Sequence, residues 1–556
     1  MSKRLYWDVV ATLFFAWFAA ALVFSAIQQP LVYDDAYNAA VSRNIADGKG
    51  WVTDYHATVP FNSTVTSGPT LLLPAAVLIN FLGVKLWIPA LSNVLLMLSG
   101  LLLYGLALRR LTDSTSQYLA VVIATLVFLG LYDTRAWSEF VGDGFIPIAV
   151  AAVSVLLVCV LERKSGGEAL VLAGVLLGLT LLSKLYGVIA ILGLLAALLW
   201  CLGRAWIQGT PLRLVRLLGP LFLGAGCILL PWLLYKAHVL SALSEEVRAQ
   251  RAIFDAQFFK AFGSGIDGLY QADDLFAYMW GVAQRNFSGL VRSFEIPQWW
   301  AGGWVFALFC LPLITGLVLA FRREVKGYAL LLFLLAGAAS AHWIWFMCIS
   351  TGAPRYARIA IILSCMILAL LLSLRLRSWL VPAALAVAVV MLPPAKKETV
   401  LGLALFKTAP ADALAAQKNF IRAASVRGEE GPLVGCNWAV SRLLDYAAPE
   451  DQPLKDVVLL LSDALNSERE SGAAHAGQMT ELANPLQFRF AISEMEWAFH
   501  KSIGTCPIPQ YLDSVCDQPL FNEGFYTIKR CTISHVPPAL ADALHKSYPN
   551  HLSGMH

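Results

Sequence analysis

YDDAYNAAVSRNIADGKGWVTDYHATVPFNSTVTSGP, residues 33–69, is the stretch on which the reading of this chain turns. It follows the first apolar run and is too polar to enter a bilayer. Asp34 and Asp35 sit a few residues beyond the end of that run. A carboxylate at a membrane boundary is costly to bury and can act there as a base or bind a cation. An acidic pair opening the helical pattern Ala36–Ala46 can equally cap that helix. Both readings stand at this point.

Working outward, the chain has 556 residues, 58% of them hydrophobic and 14% charged, with mean hydropathy +0.64. A soluble protein would carry nearer a quarter charged residues. Apolar runs of roughly 17–22 residues recur, each able to cross about 30 Å of hydrocarbon. The net charge of +4 is small and the basic residues cluster at the ends of runs, which gives no support to nucleic-acid binding. The basic head and long apolar core of the N-terminus suggest a retained first span in place of a cleaved signal.

Basic clusters then set the topology. Arg109-Arg110, Arg163-Lys164, Arg204, Arg322-Arg323 and Arg375 fall on one side if 70–82 lies in the interface and does not span. The expected fold is therefore a polytopic α-helical membrane protein with about 11 transmembrane helices in residues 1–395. Its first outer loop is 29–86 with interfacial helices, and a long outer loop covers 236–298. Residues 396–556 are expected to form an outer soluble α/β domain, with a helix at 412–427 and β runs at 456–462 and 524–530. Of the ten cysteines, Cys436, Cys506, Cys516 and Cys531 lie in that domain. They permit two disulfides in three pairings in an oxidising compartment.

Positive charge also appears where the general bias disfavours it. Arg135, Lys184, Lys236, Arg355 and Arg358 lie at outer ends of spans. As a set they suit a lipid phosphate; singly they suit snorkelling or ion pairs with Glu139 and Asp143. Glu139 and Asp143, four apart in WSEFVGDGF, share a face if that segment is helical. They could form a second acidic patch for a divalent cation or an acceptor, or Asp143 could cap the helix that follows. The loop 236–298 carries Asp255, Asp267, Asp273 and Asp274, and Trp299-Trp300 reads as an interfacial belt. His342, Trp343 and Trp345 read as packing, and Asn62-Ser63-Thr64 is formally a glycosylation sequon.

Taken in order, DDAY at 34–37, SRNIADGKGW at 42–51, TSGPTLLLP at 66–74, VGD at 141–143, GLTLLSKLYG at 178–187, PWLLYK at 231–236 and PRYAR at 354–358 resemble the GT-C membrane glycosyltransferases. The resemblance covers roughly 1–395, and is strongest to aminoarabinose transferases, protein O-mannosyltransferase-like enzymes and bacterial arabinofuranosyltransferases. The extra Gly68 departs from the Thr-Ser/Thr-Pro turn of the last group. The resemblance implies an inverting transfer of a sugar, arabinofuranose among the candidates, from a polyprenyl-phosphate donor to a hydroxyl on a glycan, lipid or protein. It implies Asp34 as base with Asp35 the fallback, Lys184, Arg355 and Arg358 on the donor phosphate, and Glu139 and Asp143 as accessory acids. No cofactor is needed for that chemistry, although a divalent cation could assist. The setting it implies is a bacterial inner membrane, with membrane lipid around the spans and the site on the periplasmic face. The rival is a transporter or flippase of a lipid-linked glycan, which would more usually show mid-span charges and repeated halves.

Overall fold

The computed structural model describes residues 3–31, 34–52, 67–112, 118, 121–122, 124–125, 139–207, 214–241, 274–294, 297–322, 324–350, 352–375, 411–425, 433–435, 438–447, 480–493 and 516–536. Arg135, Asp255, Asp267, Asp273, the 62–64 sequon, the expected span at 379–395, the expected strand at 456–462, Cys436 and Cys506 lie outside them.

The described chain is mostly helical. In order the helices are α1 Lys3–Gln28, α2 Asp34–Ala46, α3 Pro69–Leu82, α4 Ile88–Leu111, α5 Phe145–Leu161, α6 Gly167–Ser183 and α7 Gly187–Ile207. There follow α8 Leu214–Ser241, α9 Leu275–Arg292, α10 Gln298–Ala320, α11 Gly327–Cys348 and α12 Arg358–Arg375, then α13 Ala411–Ala424 and α14 Trp438–Ala447. A 3-10 turn, Pro354–Ala357, leads into α12. Among the described residues six helical stretches are long and apolar enough to cross a membrane, lying in α4, α7, α8, α10, α11 and α12 with its preceding turn. The 14 residues of α3 are too few to span, in keeping with its expected place in the interface.

Contacts divide the chain into two compact units. The first holds Met1–Ala26, Asn62–Pro74 and Ala90–Lys407. At its centre α5 is buried from Phe145 to Cys159, and α11 is nearly as enclosed. Because α5 is apolar on every side, it is surrounded by other helices. Helices α7 and α11 cross at Gly193 and Gly337, where an added Cβ on Gly193 would lie 2.3 Å from the Gly337 carbonyl oxygen. Small residues of this kind let two backbones approach without a side chain between them.

The second unit holds Ile27–Phe61, Ala75–Pro89 and Thr408–His556. The sequence reading divides the chain at 395–396; by contacts the unit with the C-terminal residues also holds the DDAY helix. Its sheet has order β1-β2-β4-β3, from β1 Leu433–Gly435, β2 Thr480–Ser493, β3 Cys516–Glu523 and β4 Tyr526–Val536. Strand β1 runs parallel to β2, and the rest is antiparallel. Gly524, at φ +61°, closes the β3–β4 hairpin, a conformation glycine adopts without steric cost. Cys516 faces Cys531 across that hairpin and is bridged to it. Of the bridges those four cysteines permit, the described residues show this one.

Helix α13 covers the sheet. Phe420 stacks on Tyr526 at 4.7 Å, and Gln417 donates to the Tyr526 hydroxyl at 2.8 Å. Gln417 also donates to the Leu31 carbonyl and accepts from the Leu31 amide, at 2.7 and 3.0 Å. These bonds tie the chain entering α2 to the C-terminal residues. Helix α14 makes the same connection further along: Arg43 donates to the Tyr446 carbonyl, and the Tyr446 hydroxyl donates to the Lys85 carbonyl at 2.7 Å.

Candidate active site

In the first unit the site is built around one carboxylate. Asp143 is fully buried, just ahead of α5. It does not cap that helix: the capping position is Gly144, and no side chain bonds there. Its oxygens face cations instead. Lys184 Nζ lies 3.1 Å from Oδ1, and Arg358 Nη1 lies 4.0 Å from Oδ2. Arg358 Nη2 also donates to Glu139 Oε2 at 2.8 Å. The i, i+4 spacing of Glu139 and Asp143 therefore does bring both acids to one partner, but through a loop and a turn in place of a helix.

Burial raises the pKa of the Asp143 carboxyl, and the charges of Lys184 and Arg358, aided by the Tyr186 hydroxyl and Arg355, more than reverse this. The net result is a carboxyl held below its ordinary value. The same carboxylate, added to burial, pushes the Tyr186 phenol well above its own. Asp143 is thus charged and Tyr186 is a neutral hydroxyl.

Three loops bring these groups together. Ser67 Oγ donates to the Val141 carbonyl at 2.9 Å, the Gly68 amide donates to the Ser183 carbonyl at 2.9 Å, and Ser183 Oγ donates to the Gly142 carbonyl at 2.9 Å. The TSGP, VGD and SKLY motifs are in this way laced to one another. Gly68 is required by that closeness, since a Cβ there would sit 2.1 Å from the Leu182 carbonyl oxygen. Gly142 has φ +79° and an added Cβ would meet Ser183 Oγ at 2.9 Å. Asn93 supports the VGD loop from α4 by donating to the Glu139 carbonyl at 2.8 Å.

An aromatic group backs the cations. The Lys184 ammonium lies 5.3 Å from the Tyr186 ring centre, and Arg355 lies 5.4 Å from that of Tyr356. Tyr186 stacks on Trp345 at 5.8 Å and meets Tyr356 edge-on at 5.5 Å. His342 Nε2 is 2.9 Å from the Tyr356 carbonyl oxygen, within reach to donate to it. His342 and Trp345, expected to be packing, do pack, yet what they pack is the wall of this cluster. Their signal in the sequence was polar or amphipathic side chains near the end of a span.

Arg358 is 6% and Lys184 11% exposed, so their heads face protein; Arg355, on the 3-10 turn, is partly exposed. Among the described residues, the carboxylates of Asp143 and Glu139 gather with the cations Lys184, Arg355 and Arg358. Cations so placed suit an anion. Among the described residues no three His, Cys, Asp or Glu side chains gather as a metal site.

In the second unit Asp34 and Asp35 form the first turn of α2, where the helix dipole favours negative charge. The two differ in access. Asp35 is buried at 3% exposure, whereas Asp34 is half-buried. Three residues on, Tyr37 is buried, and Arg442 of α14 stacks over its ring at 5.3 Å while pairing with Asp445 at 3.0 Å. Burial is the main reason the Tyr37 phenol is pushed far up, with Arg442 opposing and Asp34 adding to it. The role of Arg442 was invisible in the sequence, because nothing local marks an arginine some four hundred positions away as a neighbour of DDAY.

No protein-family model matches the sequence, and no curated protein matches it at a significant level. Solved structures do. The chain is similar to ArnT from Cupriavidus metallidurans bound to undecaprenyl phosphate, with TM-score 0.55 and 14% identity, over 93% of this chain and 97% of that one. To the same protein in the apo state the values are 0.54 and 12%, over 94% and 98%. Nearly the whole length of both chains is matched at an identity too low for sequence comparison to detect. The chain has the GT-C fold.

Proposed function

We propose that this protein is an inverting glycosyltransferase that takes a sugar from a polyprenyl-phosphate donor and gives it to a hydroxyl acceptor on the periplasmic face of a bacterial inner membrane. The observation that carries the reading is the cluster of cations held on a buried carboxylate, Lys184 and Arg358 about Asp143 with Arg355 beside them. Cations fixed in advance by protein groups stabilise a departing phosphate without reorganising when it leaves. The lipid phosphate in the similar ArnT structure supports a polyprenyl donor here. The Cys516–Cys531 bridge supports an oxidising compartment for the C-terminal residues.

In the proposed reaction the acceptor oxygen attacks the anomeric carbon and the bond from that carbon to the phosphate oxygen breaks. The sugar stays on the acceptor, polyprenyl phosphate leaves, and the acceptor's proton passes to a carboxylate. Asp34 suits that last role better than Asp35, because it is half-exposed and its neighbour is buried. Glu139 and Asp143 position Arg358 and Lys184, and no step needs a metal or organic cofactor. A single displacement inverts the anomeric carbon. Arabinofuranose is among the sugars that the motif resemblance implies.

The test is to incubate the purified protein in nanodiscs with defined polyprenyl-phosphate pentoses and hexoses and to measure free polyprenyl phosphate. Release that depends on an added hydroxyl acceptor supports the reading. Movement of intact lipid-linked sugar between leaflets, without cleavage, supports a flippase instead.

A further inference from the structure

Helix α4 ends in LLLYGLALRRL, residues 101–111. Two arginines close an apolar run there, the pattern that the positive-inside rule gives to the cytoplasmic end of a span. At helical spacing Leu101, Gly105 and Arg109 fall in one arc, with Leu102 and Leu106 beside it. That side of α4 lines a cavity of about 220 Å³, bounded also by Thr12 and Phe15 of α1 and by Tyr118, Val122 and Thr125. Leu102 and Leu106 are 50% and 54% exposed, so the cavity opens on the flank of a span, where lipid lies. Gly105 makes the room: it brings no side chain, and a Cβ there would already meet the Tyr118 hydroxyl at 3.5 Å.

The cavity wall changes character along α4. At the basic end the Arg109 guanidinium lies 5.9 Å from the Tyr118 ring centre. Five residues back, about 7.5 Å by helical rise, comes Tyr104, with Thr125 beside it. Both are 2% exposed. Among the described residues neither hydroxyl oxygen meets a third polar partner, and a bond between the two uses one hydroxyl hydrogen and leaves the other without an acceptor. A buried donor in that state is costly, and an acceptor supplied by a ligand would satisfy it. Beyond Tyr104 the wall is apolar, with Leu101 and Phe15.

A cation, a hydroxyl donor about 7.5 Å deeper and then an apolar wall match a glycerophospholipid in order: phosphate, ester carbonyl, acyl chain. A polyprenyl phosphate has no carbonyl to offer the hydroxyls, and a sugar would press its own hydroxyls against leucines. Arg109 favours a headgroup of net negative charge over one that carries its own ammonium.

We propose that this cavity binds an anionic glycerophospholipid of the leaflet at the basic end of α4, its phosphate on Arg109, an ester carbonyl at Tyr104 and Thr125, and an acyl chain running past Gly105. The cavity shares no residue with the Asp143 cluster, so the proposal is testable whether or not the chain proves to be a transferase.

The experiment delipidates the full chain in detergent, adds phosphatidylglycerol and phosphatidylethanolamine with identical acyl chains, and reads the first lipid retained by native mass spectrometry. Phosphatidylglycerol is expected to be retained about fivefold more, and Arg109→Gln to abolish that preference. Gly105→Leu, which fills the cavity, is expected to lower retention of phosphatidylglycerol at least fivefold. Arg322→Gln, at an exposed arginine after another span, is expected to change neither. The dialkyl ether analogue of phosphatidylglycerol, which lacks ester carbonyls, is expected to bind about threefold more weakly. Equal retention of the two phospholipids by the parent protein, or an equal effect of Arg109→Gln and Arg322→Gln, would overturn the site. Unweakened binding of the ether lipid, or displacement of phosphatidylglycerol by an equimolar polyprenyl phosphate, would overturn the assigned lipid class. Arg109 is exposed, so its variant needs no repacking and the outcome stands even if Gly105→Leu does not fold.

Discussion

Asp143 is the residue on which most of the first unit's chemistry depends. Its carboxyl is fully buried, and its charge is tolerable only because Lys184 and Arg358 face it. Asp143→Asn removes the carboxylate that faces both enclosed cations and leaves Glu139 facing Arg358. Loss of one partner from a buried pair costs about 3–5 kcal/mol, so this variant is expected to lower the unfolding midpoint in detergent clearly. Glu139→Gln, at the half-exposed end of the network, is expected to cost under about 1 kcal/mol. The pH dependence follows from the direction of the shift. Because folding lowers the Asp143 pKa, its contribution is fully present above the unfolded value near 4 and is lost as pH falls through the folded value. Thermal stability should therefore be insensitive to this group from pH 7 to about 5 and fall below about 4, and Asp143→Asn should flatten that fall. The sequence showed that acids and cations lay at the ends of the same spans. It did not show which acid took which cation, since that depends on how three loops cross.

Among the elements, the laced loops and the α2–α14 pair invite tests. Gly68 looked like an extra residue spoiling a turn motif; its reason is the carbonyl of Leu182, too near for any side chain. Gly68→Ala must displace the TSGP turn from α6, and transfer activity is expected to fall at least tenfold, with donor KM raised more than kcat is lowered. Arg442→Met removes the charge over Tyr37 and the ion pair with Asp445. Faster amide exchange across Asp34–Ala46, recovered in part by Arg442→Lys, is the expected result, because lysine keeps a cation over the ring. Reduction of Cys516–Cys531 opens a loop of 15 residues and is expected to cost the C-terminal residues about 3 kcal/mol, seen as a lower midpoint for their unfolding. Helix positions were legible because hydrophobic runs and turn residues are local signals: α13, at Ala411–Ala424, falls within a few residues of the expected 412–427. Contacts such as Leu31 with Gln417 were not, since 386 residues separate the partners.

For the whole molecule, apolar span lengths and the side taken by basic clusters were enough to predict a polytopic helical protein, and the order of short motifs predicted the GT-C fold. Residues 27–61 and 75–89 belong to the same compact unit as the C-terminal residues, a grouping that sequence order conceals. The most direct measurement is release of polyprenyl phosphate from a polyprenyl-phosphate sugar by the purified protein and by Asp34→Asn, Asp35→Asn and Arg355→Ala, each shown to be folded by its melting curve. The account predicts acceptor-dependent release by the parent protein, a loss of about 10²–10⁴-fold in kcat for Asp34→Asn and a smaller loss for Asp35→Asn. It also predicts weaker donor binding for Arg355→Ala. Unaltered turnover in Asp34→Asn and Asp35→Asn alike, with both proteins folded, would contradict it.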